Sequence, residues 1–199
     1  MTQATLRILT LGTLLVGWAL FGFAVALRPR GAASAIRHRD RRSLLAMLVQ
    51  GIGFGLAWGI RRPLDAPFLP LGDLGAFLLF PIIGALALGS AALAVSAVRT
   101  LGRQWSLTAQ VVEAHALITS GPYAVVRHPI YAAMFGLLLA TGMTLSSWQA
   151  LLLAAALFIV GTLWRIRLEE RLLQQSFGPA YDRYAEKVPA LLPWPRAHP

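Results

Sequence analysis

Long apolar stretches alternate with short polar segments along the whole chain. A helix needs about 20 mostly apolar residues to cross a hydrocarbon core about 30 Å thick. Five stretches meet or approach this length, and they cover residues 8–27, 44–60, 74–98, 130–145 and 148–164. The pattern therefore predicts an all-α integral membrane protein with five transmembrane helices.

The last two predicted helices are short and follow each other closely. At a rise of 1.5 Å per residue each is only about 25 Å long, and Ser146 and Ser147 alone separate them. We therefore expect these two helices to form a helical hairpin. The arginine-rich stretch that follows continues the fifth helix, and we expect a cytoplasmic helical segment at the carboxyl terminus.

The second apolar stretch carries a run of glycines, G-x-G-x-G-x-x-x-G, that begins at Gly51. A phosphate-binding loop of this type must follow a strand and open a helix, whereas this run lies inside a predicted membrane helix. Gly51, Gly55 and Gly59 share one helical face, on which small residues allow a neighbouring helix to approach closely. We predict that this face is a helix-packing surface.

Composition supports a membrane protein and narrows the possible chemistry. Hydrophobic residues make up 57% of the 199 positions and charged residues only 13%, whereas soluble domains have about 25% charged residues. The absence of cysteine excludes thiolate nucleophiles and cysteine metal sites. The four histidines include no pair at a metal-ligand spacing such as H-x-x-x-H, so we expect no metal.

The net charge of +10 is distributed unevenly between the two sides of the predicted membrane region. Segments 28–42, 99–129 and 165–199 hold fifteen basic residues, and the alternate segments hold only Arg7, Arg61 and Arg62. Because basic residues in short loops stay in the cytoplasm, we expect the amino terminus outside and the carboxyl terminus inside, in a bacterial inner membrane. Arginines placed between apolar runs do not indicate a nucleic-acid partner.

A first polar block lies where the chain enters the fourth predicted helix. Gly121-Pro122 is a turn signal, and Pro129 suits the first helical position. Arg127 and His128 then stand at the helix mouth, where unpaired backbone N–H groups can bind an anionic group. The alternative interpretation is that Arg127 is a snorkelling cytoplasmic residue, His128 a helix cap and Tyr131 an interfacial aromatic.

A second polar block lies on the continuation of the fifth helix. Arg165 and Glu169 are four residues apart, and Arg167 and Glu170 are three apart, so intrahelical ion pairs explain them without any function. The two adjacent carboxylates also stand at the foot of a hairpin whose other foot carries Arg127. Ionisable residues at membrane depth usually mark a functional site. Both interpretations remain open from the spacing alone.

The two blocks together resemble the family of integral-membrane methyltransferases that includes isoprenylcysteine carboxyl methyltransferase and the phospholipid N-methyltransferases. The first block carries the match in HALITSGPYAVVRHPIY, residues 115–131, and the second in RLEERLLQQSFGPAYDRYAEKVPALLP, residues 167–193. The resemblance covers residues 101–193. The ordered occurrence of both blocks makes it more specific than either block alone.

The resemblance implies S-adenosylmethionine as the methyl donor and a methyltransferase core in residues 99–199, after a three-helix membrane region in residues 1–98. The donor carries a sulfonium, an ammonium and a carboxylate, so its pocket needs both carboxylates and cationic or N–H donors. Its implied binding residues are His115, Tyr123, Arg127, His128, Pro129, Tyr131, Glu169 and Glu170. The implied acceptor is a lipid or prenylated molecule that enters from the bilayer.

The catalytic roles depend on the acceptor. A carboxylate acceptor must be held by an arginine, for which Arg165 and Arg167 are the candidates. An amine acceptor needs a base, for which Glu169 or Glu170 is the candidate. Isoprenylcysteine carboxyl methylation is the nearest resemblance, and N-methylation of a phospholipid amine is an alternative. A third possibility is an NADPH-dependent membrane reductase of the sterol-reductase type, which also has an Arg-His pair and a tyrosine near a helix mouth.

Overall fold

The computed structural model describes residues 3–27, 36–39, 42–63, 66–68, 72–102, 110–112 and 116–193. Within these ranges the protein is mainly helical. The helices are α1 (Gln3–Ala26), α2 (Arg42–Gly59), α3 (Gly72–Leu101), α4 (Pro129–Leu145), α5 (Trp148–Phe177) and α6 (Pro179–Lys187). A helix therefore lies at each of the five predicted positions, and α6 follows as a short helical segment near the carboxyl terminus.

Three of the described helices, α1, α3 and α5, are long and apolar enough to cross a membrane. The apolar helix α4 has only 17 residues, and α2 has 18. This length and composition support a membrane protein, whereas the count of five crossings stays a prediction. Helix α5 runs to Phe177, well beyond the apolar stretch that ends at residue 164. The charged second block is therefore part of one continuous helix with the apolar segment.

Helix α2 packs along α5 through its buried residues Ser43, Ala46, Gln50, Gly53 and Ala57. A Cβ atom on Gly53 would lie 2.7 Å from the Ala154 carbonyl oxygen, and one on Gly161 would lie 2.8 Å from the Ala46 carbonyl oxygen. Both glycines are therefore required for the close contact between these two helices.

The predicted packing face of α2 was wrong. Among the described residues, nothing lies within 4 Å of a Cβ atom built on Gly51, Gly55 or Gly59. All three glycines are exposed on the face that points away from α5. Small residues lie on both faces of this helix, so glycines alone do not distinguish the face that meets lipid from the face that meets protein. The polar residues Ser43 and Gln50 lie on the buried face.

The expected hairpin is formed by α4 and α5. The Ser147 hydroxyl accepts a hydrogen bond from the backbone N–H of Ala150 at 3.3 Å and caps α5, as Ser does at many helix starts. The Ser146 hydroxyl donates to the Ala57 carbonyl at 2.5 Å and ties the turn to α2. Because the two helices run antiparallel from this turn, the start of α4 lies beside residues 165–170 of α5.

Two short strands join segments that lie between helices. Strand β1 (Ile36–Arg39) pairs antiparallel with β2 (Gln110–Val112), and an irregularity separates the pairs formed by Ile36 and His38. The sequence analysis did not predict this ladder. It connects the segment between α1 and α2 with the segment between α3 and α4, and β2 also contacts α5.

Candidate active site

The first polar block approaches α4 through a sharp turn. A 3-10 helix covers Gly121–Ala124, and Gly121 has a φ of +58°, a backbone conformation that favours glycine. Pro129 is buried at the first position of α4, where its missing N–H costs no hydrogen bond. This local geometry places Arg127 and His128 at the foot of the hairpin, as the sequence indicated.

Arg127 binds both α5 and the carboxyl-terminal segment. Its guanidinium donates to Glu170 Oε1 from Nε at 2.9 Å and from Nη2 at 2.7 Å. Its Nη1 donates to the carbonyl of Ala185 at 3.0 Å and to that of Val188. Four hydrogen bonds from one side chain therefore hold residues 170, 185 and 188 together.

The backbone N–H groups at the helix mouth are also used within the protein. Arg127 N–H donates to the Pro189 carbonyl and His128 N–H to the Ala190 carbonyl, each at 2.9 Å. The sequence analysis expected free N–H groups here for an anion. These two are instead paired with the segment that follows α6, which closes over the start of α4.

His128 lies between the two adjacent carboxylates. Its Nε2 is 3.1 Å from Glu170 Oε1, and its Nδ1 is 3.7 Å from Glu169 Oε2. A neutral imidazole has only one N–H donor, whereas an imidazolium donates from both nitrogens. The ring therefore lies between the two glutamates, with Nε2 at hydrogen-bond distance from Glu170 and Nδ1 farther from Glu169 than a hydrogen bond allows.

Glu169 is the centre of a second group of contacts. Oε1 accepts a hydrogen bond from the Tyr131 hydroxyl, and Arg165 Nη2 lies 3.4 Å from the same oxygen. The Arg165 guanidinium also stacks over the Tyr131 ring, 5.0 Å from its centroid, at a distance that allows a cation–π contact. The predicted intrahelical pair of Arg165 and Glu169 is thus present, within a larger arrangement that spans both helices of the hairpin.

Gln50 on α2 is part of this arrangement, and the sequence analysis missed it. The Gln50 side chain is only 2% exposed. Its Oε1 accepts from Arg165 Nη1 at 3.3 Å, and its Nε2 donates to the Thr162 hydroxyl at 2.7 Å. The available signal was a lone amide within an apolar predicted helix, because a buried amide needs polar partners.

All four tyrosines of the chain lie around the carboxylates. The Tyr184 hydroxyl donates to the Tyr123 carbonyl at 2.6 Å. Burial raises the pKa of Tyr184 to about 12. The pKa values of Tyr123 and Tyr181 are raised further, mainly by burial and secondly by the negative charge of the nearby carboxylates. These three hydroxyls stay protonated at neutral pH, and the Tyr181 hydroxyl is buried without a hydrogen-bond partner among the described residues. Tyr181 and Tyr184 were quoted in the family motif but were not predicted as site residues.

The cluster exposes its carboxylates and buries its cations. The side chains of Glu169 and Glu170 are 22% and 26% exposed, whereas those of Arg127 and Arg165 are 9% and 6% exposed. A ligand that reaches this cluster therefore meets negative oxygen atoms first. The two arginines lie behind them and balance their charge, which stabilises two neighbouring carboxylates in a partly buried position.

The remaining predicted residues lie elsewhere. Arg167 is exposed, and the described part of the chain includes no ion pair between it and Glu170. His115 lies outside the described residues. No group of three His, Cys, Asp or Glu side chains that could hold a metal ion occurs where the structure describes the side chains.

Comparisons with known proteins match the carboxyl-terminal half of the chain. A protein from Schizosaccharomyces pombe named protein-S-isoprenylcysteine O-methyltransferase is 39% identical over 79 residues, which cover 40% of this chain and 34% of that protein. An Arabidopsis thaliana protein named protein-S-isoprenylcysteine O-methyltransferase B is 31% identical over 103 residues, which cover 50% of this chain and 51% of that protein.

A bacterial relative with a different name matches a similar share of the chain. The nickel-cobalt-cadmium resistance protein of Alcaligenes xylosoxydans xylosoxydans is 38% identical over 96 residues, which cover 47% of this chain and 44% of that protein. The matched part thus spans about a third to a half of the length of these three relatives. The profile of the isoprenylcysteine carboxyl methyltransferase family matches residues 82–175. Residues 82–175 are therefore similar to the isoprenylcysteine carboxyl methyltransferase family.

Proposed function

We propose that this protein transfers a methyl group from S-adenosylmethionine to a lipid-like carboxylic acid in the membrane, in the manner of isoprenylcysteine carboxyl methylation. The observation that carries the proposal is the placement of Glu169 and Glu170 against Arg127, His128 and Tyr131 at the foot of two apolar helices. The same residues lie inside or beside the segment matched to the family.

The polar groups of the cluster fit the charges of the proposed donor. S-adenosylmethionine, when bound, supplies an electrophilic methyl group on a positively charged sulfur. Glu169 and Glu170 are the partly exposed members of the cluster, and they would attract the sulfonium and ammonium end of this molecule. Tyr123, Tyr131 and His128 would border the same space. Arg127 is engaged by Glu170 and two carbonyls, which favours a role in holding the pocket closed.

Arg165 is the better candidate for binding the acceptor. Its guanidinium lies in the cluster beside Tyr131 and Glu169, on the side of α5 that faces α2, whereas Arg167 is exposed. A carboxylate acceptor already carries the attacking lone pair, so the reaction needs no general base. Arg165 would align the carboxylate for in-line attack, and positioning together with exclusion of water would supply most of the rate.

The placement of the cluster supports entry of the acceptor from the bilayer. The polar groups lie where α4 begins and where α5 leaves its apolar part. A prenyl or acyl tail can remain among the apolar helices while its head group reaches the cluster. The distribution of basic residues supports an inner membrane protein with this site and the carboxyl terminus in the cytoplasm. Residues 99–199 would form the methyltransferase core and residues 1–98 a membrane region.

Calorimetric titration of the purified protein with S-adenosylmethionine, its demethylated product and NADPH tests the proposed cofactor. We expect binding of the first two and no binding of NADPH. Binding of NADPH alone would contradict the proposal and favour the reductase.

Transfer of a labelled methyl group then identifies the acceptor. Liposomes would contain either an S-prenylcysteine acid or a phospholipid with a primary amine, at equal amounts per lipid. We expect base-labile methyl ester only with the acid. Base-stable label on the amine lipid would contradict O-methylation and identify an N-methyltransferase.

A further inference from the structure

Tyr181, on α6, has a buried hydroxyl that no described residue pairs with. The residue is only 4% exposed, and its hydroxyl makes no hydrogen bond of normal length and angle within the described part of the chain. The Tyr184 ring packs edge-on against the Tyr181 ring, with the centroids 6.2 Å apart, and the Tyr184 hydroxyl donates to the Tyr123 carbonyl. A buried polar group that has lost its water normally gains another partner. The Tyr181 hydroxyl therefore requires an explanation that its neighbour does not.

The Tyr181 hydroxyl lies beside a carboxylate oxygen that is also available. Burial, first, and the charge of Glu170, second, raise the pKa of Tyr181, so this carboxylate is close to the hydroxyl. The hydrogen bonds of Glu170 with described residues all end on Oε1, which meets Nε and Nη2 of Arg127 and Nε2 of His128. The Glu170 side chain is 26% exposed, and its Oε2 accepts no hydrogen bond from any described residue. A donor and an acceptor are thus both available at one place in the cluster.

This pair selects ligand groups by their capacity for hydrogen bonds. An ammonium group only donates, so it would bind Glu170 and leave Tyr181 unpaired. A carboxylate group only accepts, and the charge of Glu170 would repel it. A hydroxyl group donates to a carboxylate and accepts from a phenol at the same time. The edge of an adenine also offers both functions, through its amino group and a ring nitrogen.

We propose that Tyr181 and Glu170 together bind a ribose hydroxyl of the methyl donor, an inference that rests on the proposed function. A carboxylate binds ribose hydroxyls in the same way in dinucleotide sites. Tyr181 thereby becomes a binding residue for the donor, and Arg127 and His128 position Glu170 through its other oxygen.

The order of groups along the donor favours the ribose over the adenine. The proposed acceptor site is Arg165, which lies beside Glu169, and the sulfur of the donor must lie near the acceptor for in-line transfer. The ribose is joined to the sulfur through one methylene carbon, whereas the adenine is attached to the far side of the sugar ring. Glu170 directly follows Glu169 on α5, so the ribose is the nearer group.

Binding of the demethylated product, S-adenosylhomocysteine, to the full-length protein tests this assignment without turnover. Its 2′-deoxy and 3′-deoxy analogues each lack one hydroxyl. We expect one of them to bind the unchanged protein about tenfold to a hundredfold more weakly, as for loss of a hydrogen bond to a charged group. Tyr181→Phe should bind the parent compound about two- to tenfold more weakly, as for loss of a neutral hydrogen bond.

The combination of variant and analogue identifies the contact. We expect Tyr181→Phe to cause no further loss with the weaker deoxy analogue, because both changes remove the same hydrogen bond. Tyr184→Phe removes a hydroxyl that is bonded within the protein and is the matched control; its ratio of affinities for the two compounds should equal that of the unchanged protein. Additive losses in Tyr181→Phe would overturn the proposal. Non-additive losses with the inosine analogue instead would overturn the ribose assignment in favour of the adenine.

Thermal unfolding without ligand separates binding from a structural role. Tyr181→Phe removes a hydroxyl that is unpaired among the described residues, so we expect an unchanged or higher melting temperature, and a lower one for Tyr184→Phe. A lower melting temperature of Tyr181→Phe would show that its hydroxyl is already paired in the free protein and overturn the proposal. Failure of the unchanged protein to bind the product would contradict the proposed methyl transfer and this inference with it. Equal binding of the product by the unchanged protein and Tyr181→Phe would overturn this inference alone.

Discussion

Arg127 donates two hydrogen bonds to the same carboxylate oxygen of Glu170, from Nε at 2.9 Å and from Nη2 at 2.7 Å. The two residues are 43 positions apart in the sequence. Nη1 of Arg127 donates to the carbonyls of Ala185 and Val188. One side chain thus joins the foot of the hairpin to α5 and to the carboxyl-terminal segment.

Substitution of Arg127 by Lys should loosen the carboxyl-terminal segment. A lysine ammonium carries a charge but lacks the planar set of donors that binds a carboxylate and two carbonyls together. We expect a loss of about 1.5–3 kcal/mol in unfolding free energy and faster proteolysis between residues 178 and 193. Arg171→Lys, at an exposed position of α5, is the matched control. Equal protease resistance in both variants would contradict this role of Arg127.

Removal of either carboxylate charge should weaken donor binding. We expect Glu169→Gln or Glu170→Gln to reduce the affinity for S-adenosylmethionine by about tenfold to a hundredfold, because a charge-assisted hydrogen bond contributes about 1.5–3 kcal/mol. Asp182→Asn loses the same charge at an exposed position of α6 and should bind normally. Calorimetry measures the affinity, and far-UV circular dichroism checks the fold. Unchanged affinity in both Glu variants would remove these residues from the site.

Gln50 should affect the acceptor more than the donor. Its amide holds Arg165 from α2, and Gln50→Leu would leave buried polar groups of Thr162 and Arg165 with fewer partners, at a cost of about 1–3 kcal/mol in stability. We expect a higher KM for the acceptor and an unchanged Kd for S-adenosylmethionine. Gln149→Leu, at an exposed position near the start of α5, serves as the control. Equally weakened binding of the acceptor and of S-adenosylmethionine would indicate a purely structural role of Gln50.

The contact between α2 and α5 predicts opposite effects for two neighbouring glycines. Gly53→Ala places a methyl group 2.7 Å from the Ala154 carbonyl oxygen, so the helices must separate, and we expect about 1–3 kcal/mol of destabilisation. Gly51→Ala adds a methyl group in open space and should leave stability unchanged or raise it by up to about 1 kcal/mol. Thermal unfolding in one detergent compares the two. If Gly51→Ala destabilises the protein more than Gly53→Ala does, the result would support the packing face that was predicted from the sequence.

The orientation in the membrane can be tested with reporters fused to both ends. We expect a fluorescent reporter after Pro199 to appear in the cytoplasm and a reporter before Met1 to appear on the opposite side. The reason is that fifteen of the basic residues lie in segments 28–42, 99–129 and 165–199, and basic loops stay in the cytoplasm. Reporters on the same side would require an even number of crossings. One of the short helices α2 and α4 would then not cross the membrane.

The positions of the helices and the paired carboxylates followed from local features of the sequence. Apolar runs of about 16–25 residues predict membrane helices for two local reasons. Each apolar residue contributes its own free energy of transfer from water into the membrane, and a helix satisfies all its backbone hydrogen bonds within the segment. Glu169 and Glu170 are adjacent in one helix, so their proximity required no knowledge of the fold. Arg127 and His128 at the start of α4 were likewise predictable, since Pro129 fixes the start of that helix.

Contacts between distant segments were decided by the tertiary structure alone. Gln50 meets Arg165 across 115 positions, and no local pattern encodes that distance. The packing face of α2 was mispredicted from its glycines, because small residues that allow close helix contact lie on both of its faces. The polar residues Ser43 and Gln50 lie on the buried face. Which of Arg165 and Arg167 is buried was also decided by the fold. Two positions along a helix differ by about 200°, and the packing of α2 on α5 encloses Arg165.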